Sequence, residues 1–302
     1  NKHWSFVGGN KYLGGWNALY ERLAKHPNAF ELDESQYDSS LFARALAGMV
    51  DFRYEMLEEN EKTQENWNRL INLYESIIHS VIVLENGELV WKHTGNPSGS
   101  ANTIVDNTVI LFRLFAYAWI ILAERKFGEQ NDKISEERYS YDIFKRNVDG
   151  PELFGSYQDF MENVEAALNG DDNTFTCSDE VVGWFNPDSI AEIWSGIGIT
   201  TNYPEGKNKP GQKVEEITFL SQGFTNIRGF WLPKPDFEKT KSSLLYGSDL
   251  DDVRWHLLRA NAIRIDTWAN EETRVWISKY VDWISNTYQK TTCWNCYIKD
   301  RR

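Results

Sequence analysis

The chain has 302 residues, 41% hydrophobic and 14% aromatic, which is ample for a buried core in one large or two moderate domains. A formal net charge of −13 excludes a simple basic nucleic-acid-binding module, although an acidic protein can still carry a locally basic channel. Three cysteines exclude a disulfide framework.

Asn1 is not an initiator methionine and no signal peptide follows it, so the chain is expected to be an excerpt of something longer. Leu19 and Leu23 predict a short helix over 16–26, stopped at Pro27. Phe30 and Leu32 alternate as in a strand ending at Asp33, and Asp38 or Ser39 is expected to cap a following helix through Ala43, Leu46, Ala47 and Val50. An amphipathic helix is predicted over 64–80. Asn86-Gly87 between Val81-Ile82-Val83-Leu84 and Glu88-Leu89-Val90-Trp91 is a hairpin signal.

The loop Thr94-Gly95-Asn96-Pro97-Ser98-Gly99 leads into an apolar helix expected over 100–126. Its most apolar part, Val109 to Ala123, contains Arg113 and is too short to span a bilayer, so no transmembrane segment is expected. Residues 129–155 read as a polar surface insertion. A helix over 157–167 passes into a strand, and Asn186-Pro187-Asp188-Ser189 starts another helix. Strands are predicted over 214–222 and 226–232, joined at Gly223, before a Trp-rich helical region from Phe237, with its longest patterns over 249–269 and 271–289. A composition shift at Pro233-Lys234-Pro235 marks the best domain boundary. Cys293-Trp294-Asn295-Cys296 lacks the two further ligands zinc needs and reads as reduced thiols.

Three stretches carry chemistry. Asp33 and Asp38 lie five apart around a strand end. Ser98-Gly99 precedes Thr103 and Asn107, which share one helical face and follow a loop flexible enough to approach a nucleotide closely. Ala166 to Thr176 reads as strand, tight turn, strand. Gly170 supplies the positive φ the turn needs, and Asp171 and Asp172 at its tip are placed to present carboxylates to a divalent cation.

In this order, Asp33-x4-Asp38, Ser98-Gly99-x3-Thr103-x3-Asn107 and Gly170-Asp171-Asp172 resemble palm motifs A, B and C of the RNA-dependent RNA polymerases of positive-strand RNA viruses, closest in flavour to picornavirus, calicivirus and astrovirus enzymes. Val7-Gly8-Gly9-Asn10 and Gly95-Asn96-Pro97 look like the same family, and Phe219-Leu220-Ser221-Gln222-Gly223-Phe224 resembles its motif E strand. Three departures stand out: Asn169 where many relatives have Tyr, no basic residue in the motif E strand, and no basic fingers segment before Asp33. The last accounts for the acidic balance, since the floor is kept without its basic wall.

The resemblance implies an α+β fold: residues 1–235 a palm with partial fingers (their hairpin about 60–97) and residues 236–302 a helical thumb. It implies template-directed RNA synthesis from NTPs on an RNA template and primer. Mg²⁺, or Mn²⁺ in its place, would be held by Asp33, Asp171 and, more weakly, Asp172. Asp38 and Asn107 would read the ribose 2′-hydroxyl with Ser98, Gly99 and Thr103 in support, and Lys207 (or its rival Lys209) would protonate the leaving pyrophosphate. The implied setting is the host cytoplasm, at replication complexes with other viral proteins. Against a DNA polymerase or reverse transcriptase stands the Asp38–Asn107 pair. A catalytically degenerate palm and a non-enzymatic acidic helical interaction protein are the remaining alternatives, and the last predicts that Asp33 and Asp171 lie apart.

Overall fold

The computed structural model describes residues 4–142, 154–202, 208–244 and 252–287. Lys207, Cys293 and Cys296 lie outside the described residues. The chain forms two compact units, Asn1–Gly9 with Glu21–Val214, and Asn10–Tyr20 with Glu215–Arg302.

The first unit is built on a four-stranded antiparallel sheet. Its strands are β1 (Asn28–Glu34), the hairpin β2 (Val81–Val83) and β3 (Leu89–Trp91) standing apart as a separate ribbon, then β4 (Val164–Asn169), β5 (Asp172–Cys177) and β6 (Thr201–Asn202). The sheet order is β4-β5-β1-β6. β1 pairs with β5 from Asn28↔Cys177 to Leu32↔Asn173, then leaves it and pairs with β6 at Asp33↔Asn202 and Glu34↔Thr201. Strand periodicity puts Phe30, Leu32 and Glu34 on one face and Glu31 and Asp33 on the other. Phe30 and Leu32 are buried, as expected from their alternation, and Asp33 is exposed.

The helices of this unit follow in order. α1 (Gly15–Leu23) ends in it; α2 (Tyr37–Ser40), α3 (Ala43–Glu55), α4 (Gln64–Ile78), α5 (Thr103–Asp142), α6 (Tyr157–Asn163) and α7 (Pro187–Ser195) complete it. α6 begins with a capping box between Ser156 and Asp159, and α7 with the Asn186 side chain accepting from the Ser189 amide at 3.1 Å, as its sequence predicts. The start of α2 differs from expectation. Gln36 occupies its N-cap at φ 50° without a side-chain cap, and α3 starts after an uncapped Phe42. The Asp38 carboxylate serves neither helix, because Asn107 and Ser98 occupy it.

α5 carries the core. Ile110, Leu111, Phe115, Ala118 and Trp119 are buried, and Phe115 packs edge-on to Phe175 and Trp194 with ring centroids 5.3 and 5.0 Å away. The Trp194 indole donates to the Leu114 carbonyl at 3.0 Å, so a large apolar ring enters the core with its polar atom paired. Burying each such ring contributes about 1.5–3 kcal/mol. Residues 103–131 have the length and apolarity to cross a membrane, contrary to the shorter run expected, yet here they form a core helix. α5 also continues through Asp142 where a surface insertion was expected, since Glu, Lys, Arg and Gln along this stretch are good helix formers.

The second unit contains the hairpin β7 (Gln222–Ile227) and β8 (Phe230–Pro235) and the helices α8 (Phe237–Ser243), α9 (Val253–Asp266) and α10 (Glu271–Thr287). The hairpin turns at Arg228-Gly229, with φ of 55° and 87°, and the Asn226 side chain accepts from the Gly229 amide at 3.0 Å. The expected turn at Gly223 is instead inside β7, where Gly223 pairs with Lys234. Val214–Glu216 is a 3₁₀ turn rather than a strand, and Leu220-Ser221, both at positive φ, fold the chain back between Phe219 and Gln222. Pro233-Lys234-Pro235 belongs to β8. Leu244, Leu257, Ala260, Ile277, Val281 and Ile284 form the apolar centre of the three helices.

Candidate active site

The end of β1 and the β4–β5 turn lie side by side because of the sheet register. Asn169 pairs with Asp172, leaving Gly170-Asp171 as a two-residue turn with Gly170 at φ 73°. Leu32 pairs with Asn173, which brings the residue before Asp33 opposite the second residue after Asp171. Asp33, Asp171 and Asp172 are exposed. The Gly170 amide donates to the Thr108 hydroxyl at 2.7 Å, so α5 holds the turn from below.

Next to these aspartates lies a carboxyl that composition and motif reading passed over. Glu34 is only 3% exposed, and burial pushes its pKa up to about 8, with the nearby charges of Asp33 and Asp171 adding to the rise and hydrogen bonds from Asn173 opposing it. Glu34 directly follows Asp33 in β1, and the Asn173 amide that bonds its carboxyl also reaches the Asp171 carbonyl at 3.1 Å. The strand alternation Phe30, Leu32, Glu34 was the available signal, since it puts Glu34 on the core face.

Asp38 is the centre of a second cluster. One of its carboxylate oxygens accepts from the Asn107 amide nitrogen, the other from the Ser98 hydroxyl at 2.5 Å. Asn96 donates to the Asn107 side-chain oxygen at 2.8 Å, and the buried Tyr37 hydroxyl donates to the Asn107 carbonyl at 3.2 Å. Burial raises the Tyr37 phenol well above its ordinary range, and the charges of Glu34, Asp171 and Asp38 add to this, so Tyr37 remains a donor. The loop reaches Asp38 through its backbone: the Asn96 amide donates to the Asp38 carbonyl at 2.7 Å. Gly95, at φ 78°, would bring a Cβ to 3.1 Å from that carbonyl oxygen.

Thr103 stands beside the cluster rather than in it, its hydroxyl bonded to the Pro97 and Ser100 carbonyls at 2.5 and 2.9 Å. Gly99 is exposed, and no atom lies within 4 Å of the position a Cβ would take. Asn208 pins the segment bearing Lys209 to β1, its side chain exchanging hydrogen bonds of 2.9 and 2.7 Å with both backbone groups of Glu31. Lys207 lies outside the described residues. Behind Asn107, the buried Asp106 is held by Arg53 and by the Tyr74 hydroxyl at 2.8 Å, tying the start of α5 to α3 and α4.

The exposed carboxylates are hard oxygen donors and fit a divalent cation such as Mg²⁺, which takes one or two protein carboxylates and completes its shell with phosphates and water. Among the described residues no three acidic, histidine or cysteine groups come together as metal ligands.

The fold matches that of a solved viral polymerase. The chain belongs to the viral RNA-dependent RNA polymerase family, whose profile matches residues 1–285. It is 27% identical over 282 residues to the genome polyprotein of Ryegrass mosaic virus (isolate Denmark/Danish), covering 92% of this chain and 8% of the polyprotein. It is 26% identical over 281 residues to that of Bean yellow mosaic virus, covering 93% of this chain and 8% of the polyprotein. The Sicinivirus 3Dpol RNA-dependent RNA polymerase shares the fold with a TM-score of 0.59 and 14% identity, over 95% of this chain and 56% of that one. The chain thus spans a small part of the curated polyproteins and a little over half of the solved polymerase.

Proposed function

We propose that this chain carries the catalytic core of a polymerase that extends an RNA primer on an RNA template. What supports this reading is the register that pairs Leu32 with Asn173, next to Asp33 and the Asp171 turn, together with an Asp38 carboxylate already engaged by Asn107 and Ser98. In the reaction the primer 3′-oxygen forms a bond to the α-phosphorus of an NTP, and the bond from that phosphorus to pyrophosphate breaks. Two divalent ions, when bound, activate the attacking oxygen and neutralise charge on the leaving group. Asp33 and Asp171 supply the principal carboxylates for them, with Asp172 contributing more weakly.

Asp38 and Asn107 present an acceptor and an amide to the ribose 2′-hydroxyl, while Ser98, Thr103 and Gly99 shape the loop that admits the sugar. A site organised around a hydroxyl leaves polar groups unpaired when a deoxynucleotide enters, which favours the ribonucleotide. Lys207 or Lys209 delivers the proton to pyrophosphate. In this reading residues 1–235 are palm and partial fingers and residues 236–302 thumb, working on RNA and NTPs in the host cytoplasm alongside other replication proteins.

The test is a Mn²⁺-soaked crystal of this chain, read by anomalous scattering, together with primer extension by the whole polymerase bearing Asp171→Asn. Mn²⁺ at the Asp33 and Asp171 carboxylates and loss of extension are expected. Mn²⁺ bound only elsewhere, or undiminished extension by the variant, refutes the assignment.

A further inference from the structure

The backbone ladder between β1 and β5 ends at Leu32↔Asn173, one residue short of Asp33 and two beyond Asp171. From there β1 turns to β6, so the main chain does not itself fix Asp33 against the Asp171 turn. The Asn173 side chain spans the gap. Its amide nitrogen lies 2.9 and 3.2 Å from the two Glu34 carboxyl oxygens, 3.1 Å from the Asp171 carbonyl and 3.3 Å from the Leu32 carbonyl. One buried amide therefore touches the residue after Asp33, the residue before it and Asp171 itself.

This arrangement is costly in the core. Asn173 and Glu34 are each 3% exposed, and the Asn173 side-chain oxygen is buried without a hydrogen-bond partner. A matched apolar pair in the same space would avoid that cost. A polar pair kept at such expense between two metal-binding aspartates has a use in the geometry.

We propose that Asn173 and Glu34 are a positioning pair that sets the separation of Asp33 and Asp171 and so the affinity of the site for a divalent cation. The inference rests on the metal-binding reading above. Groups that orient metal ligands without touching the metal are typically worth about 10–100-fold in affinity.

The experiment follows Mn²⁺ binding to the full chain by loss of the free-ion electron paramagnetic resonance signal, with urea denaturation run on the same samples. Asp33→Asn and Asp171→Asn define the site. Asn173→Ala is expected to weaken binding about 10–100-fold. The double substitution Glu34→Leu with Asn173→Leu removes both polar partners, so it should hold or raise stability while losing affinity by a similar factor. A role confined to stability would not separate the two measurements. Glu34→Gln keeps one acceptor oxygen for the Asn173 amide and should bind Mn²⁺ more tightly than the double variant.

Parent-like affinity in the folded double variant, with binding lost in Asp33→Asn and Asp171→Asn, overturns the positioning role alone. Unchanged binding in those two aspartate variants overturns the metal site and this inference with it.

Discussion

Glu34 should give the metal-free chain a pH-dependent stability that one substitution removes. Its carboxyl is held by burial at a pKa of about 8 in the folded protein, against an ordinary value of 4.5. The folded state therefore binds the proton more tightly than the unfolded chain. The associated stabilisation is fully present below pH 4.5 and is lost as pH rises through about 8. At about 1.4 kcal/mol per unit, that interval corresponds to about 5 kcal/mol, most of it falling between pH 5 and 8. Urea denaturation in EDTA at pH 5, 6, 7 and 8, followed by tryptophan fluorescence, reads it directly. Glu34→Gln cannot ionise, so the difference between parent and variant should fall by about 4 kcal/mol across that range while all other titrations cancel. Parallel pH profiles would show that the carboxyl is hydrated in the folded chain and refute the reasoning.

Three further outcomes are expected. Asn107→Ala removes an amide bonded to the Asp38 carboxylate, so discrimination between ribo- and deoxynucleotides by the whole polymerase should fall about 10–100-fold; an unchanged ratio takes Asn107 out of sugar selection. Asp106→Ala leaves Arg53 and Tyr74 without their buried partner and should cost about 3–5 kcal/mol in urea denaturation; a loss under 1 kcal/mol would mean that water replaces the carboxylate. Gly170→Ala places a side chain at φ 73°, where its Cβ has only Ile104 near it, at 3.8 Å. The expected loss of about 1–2 kcal/mol then comes from the backbone, and circular dichroism melts should register it.

Much of the site was legible because its residues sit where local rules are strong. Gly170 between strand-forming runs predicts a turn with Asp171 at its tip, and the spacing of Thr103 and Asn107 puts both on one helical face. What could not be read locally came from partners far along the chain. Asp38 has the position of a helix cap, but Asn107 and Ser98 compete for its carboxylate and win. The Glu34–Asn173 contact depends on β1 changing neighbours at residue 33, which no pattern inside either strand encodes. The β7–β8 turn falls at Arg228-Gly229 rather than at Gly223, because Asn226 supplies the local hydrogen bond there.

Asn107 and Thr108 are consecutive in α5, yet one holds Asp38 and the other receives the amide of Gly170. The two contacts lie one residue of helix apart, about 1.5 Å of axial rise. On the function proposed above, any coupling between the two sites would be reciprocal: whatever factor a correct sugar adds to cation affinity, the cation would return to retention of that sugar. Sugar selection and metal occupancy would then be two readings of one equilibrium, and a change in either should be visible in the other before any nucleotide is joined.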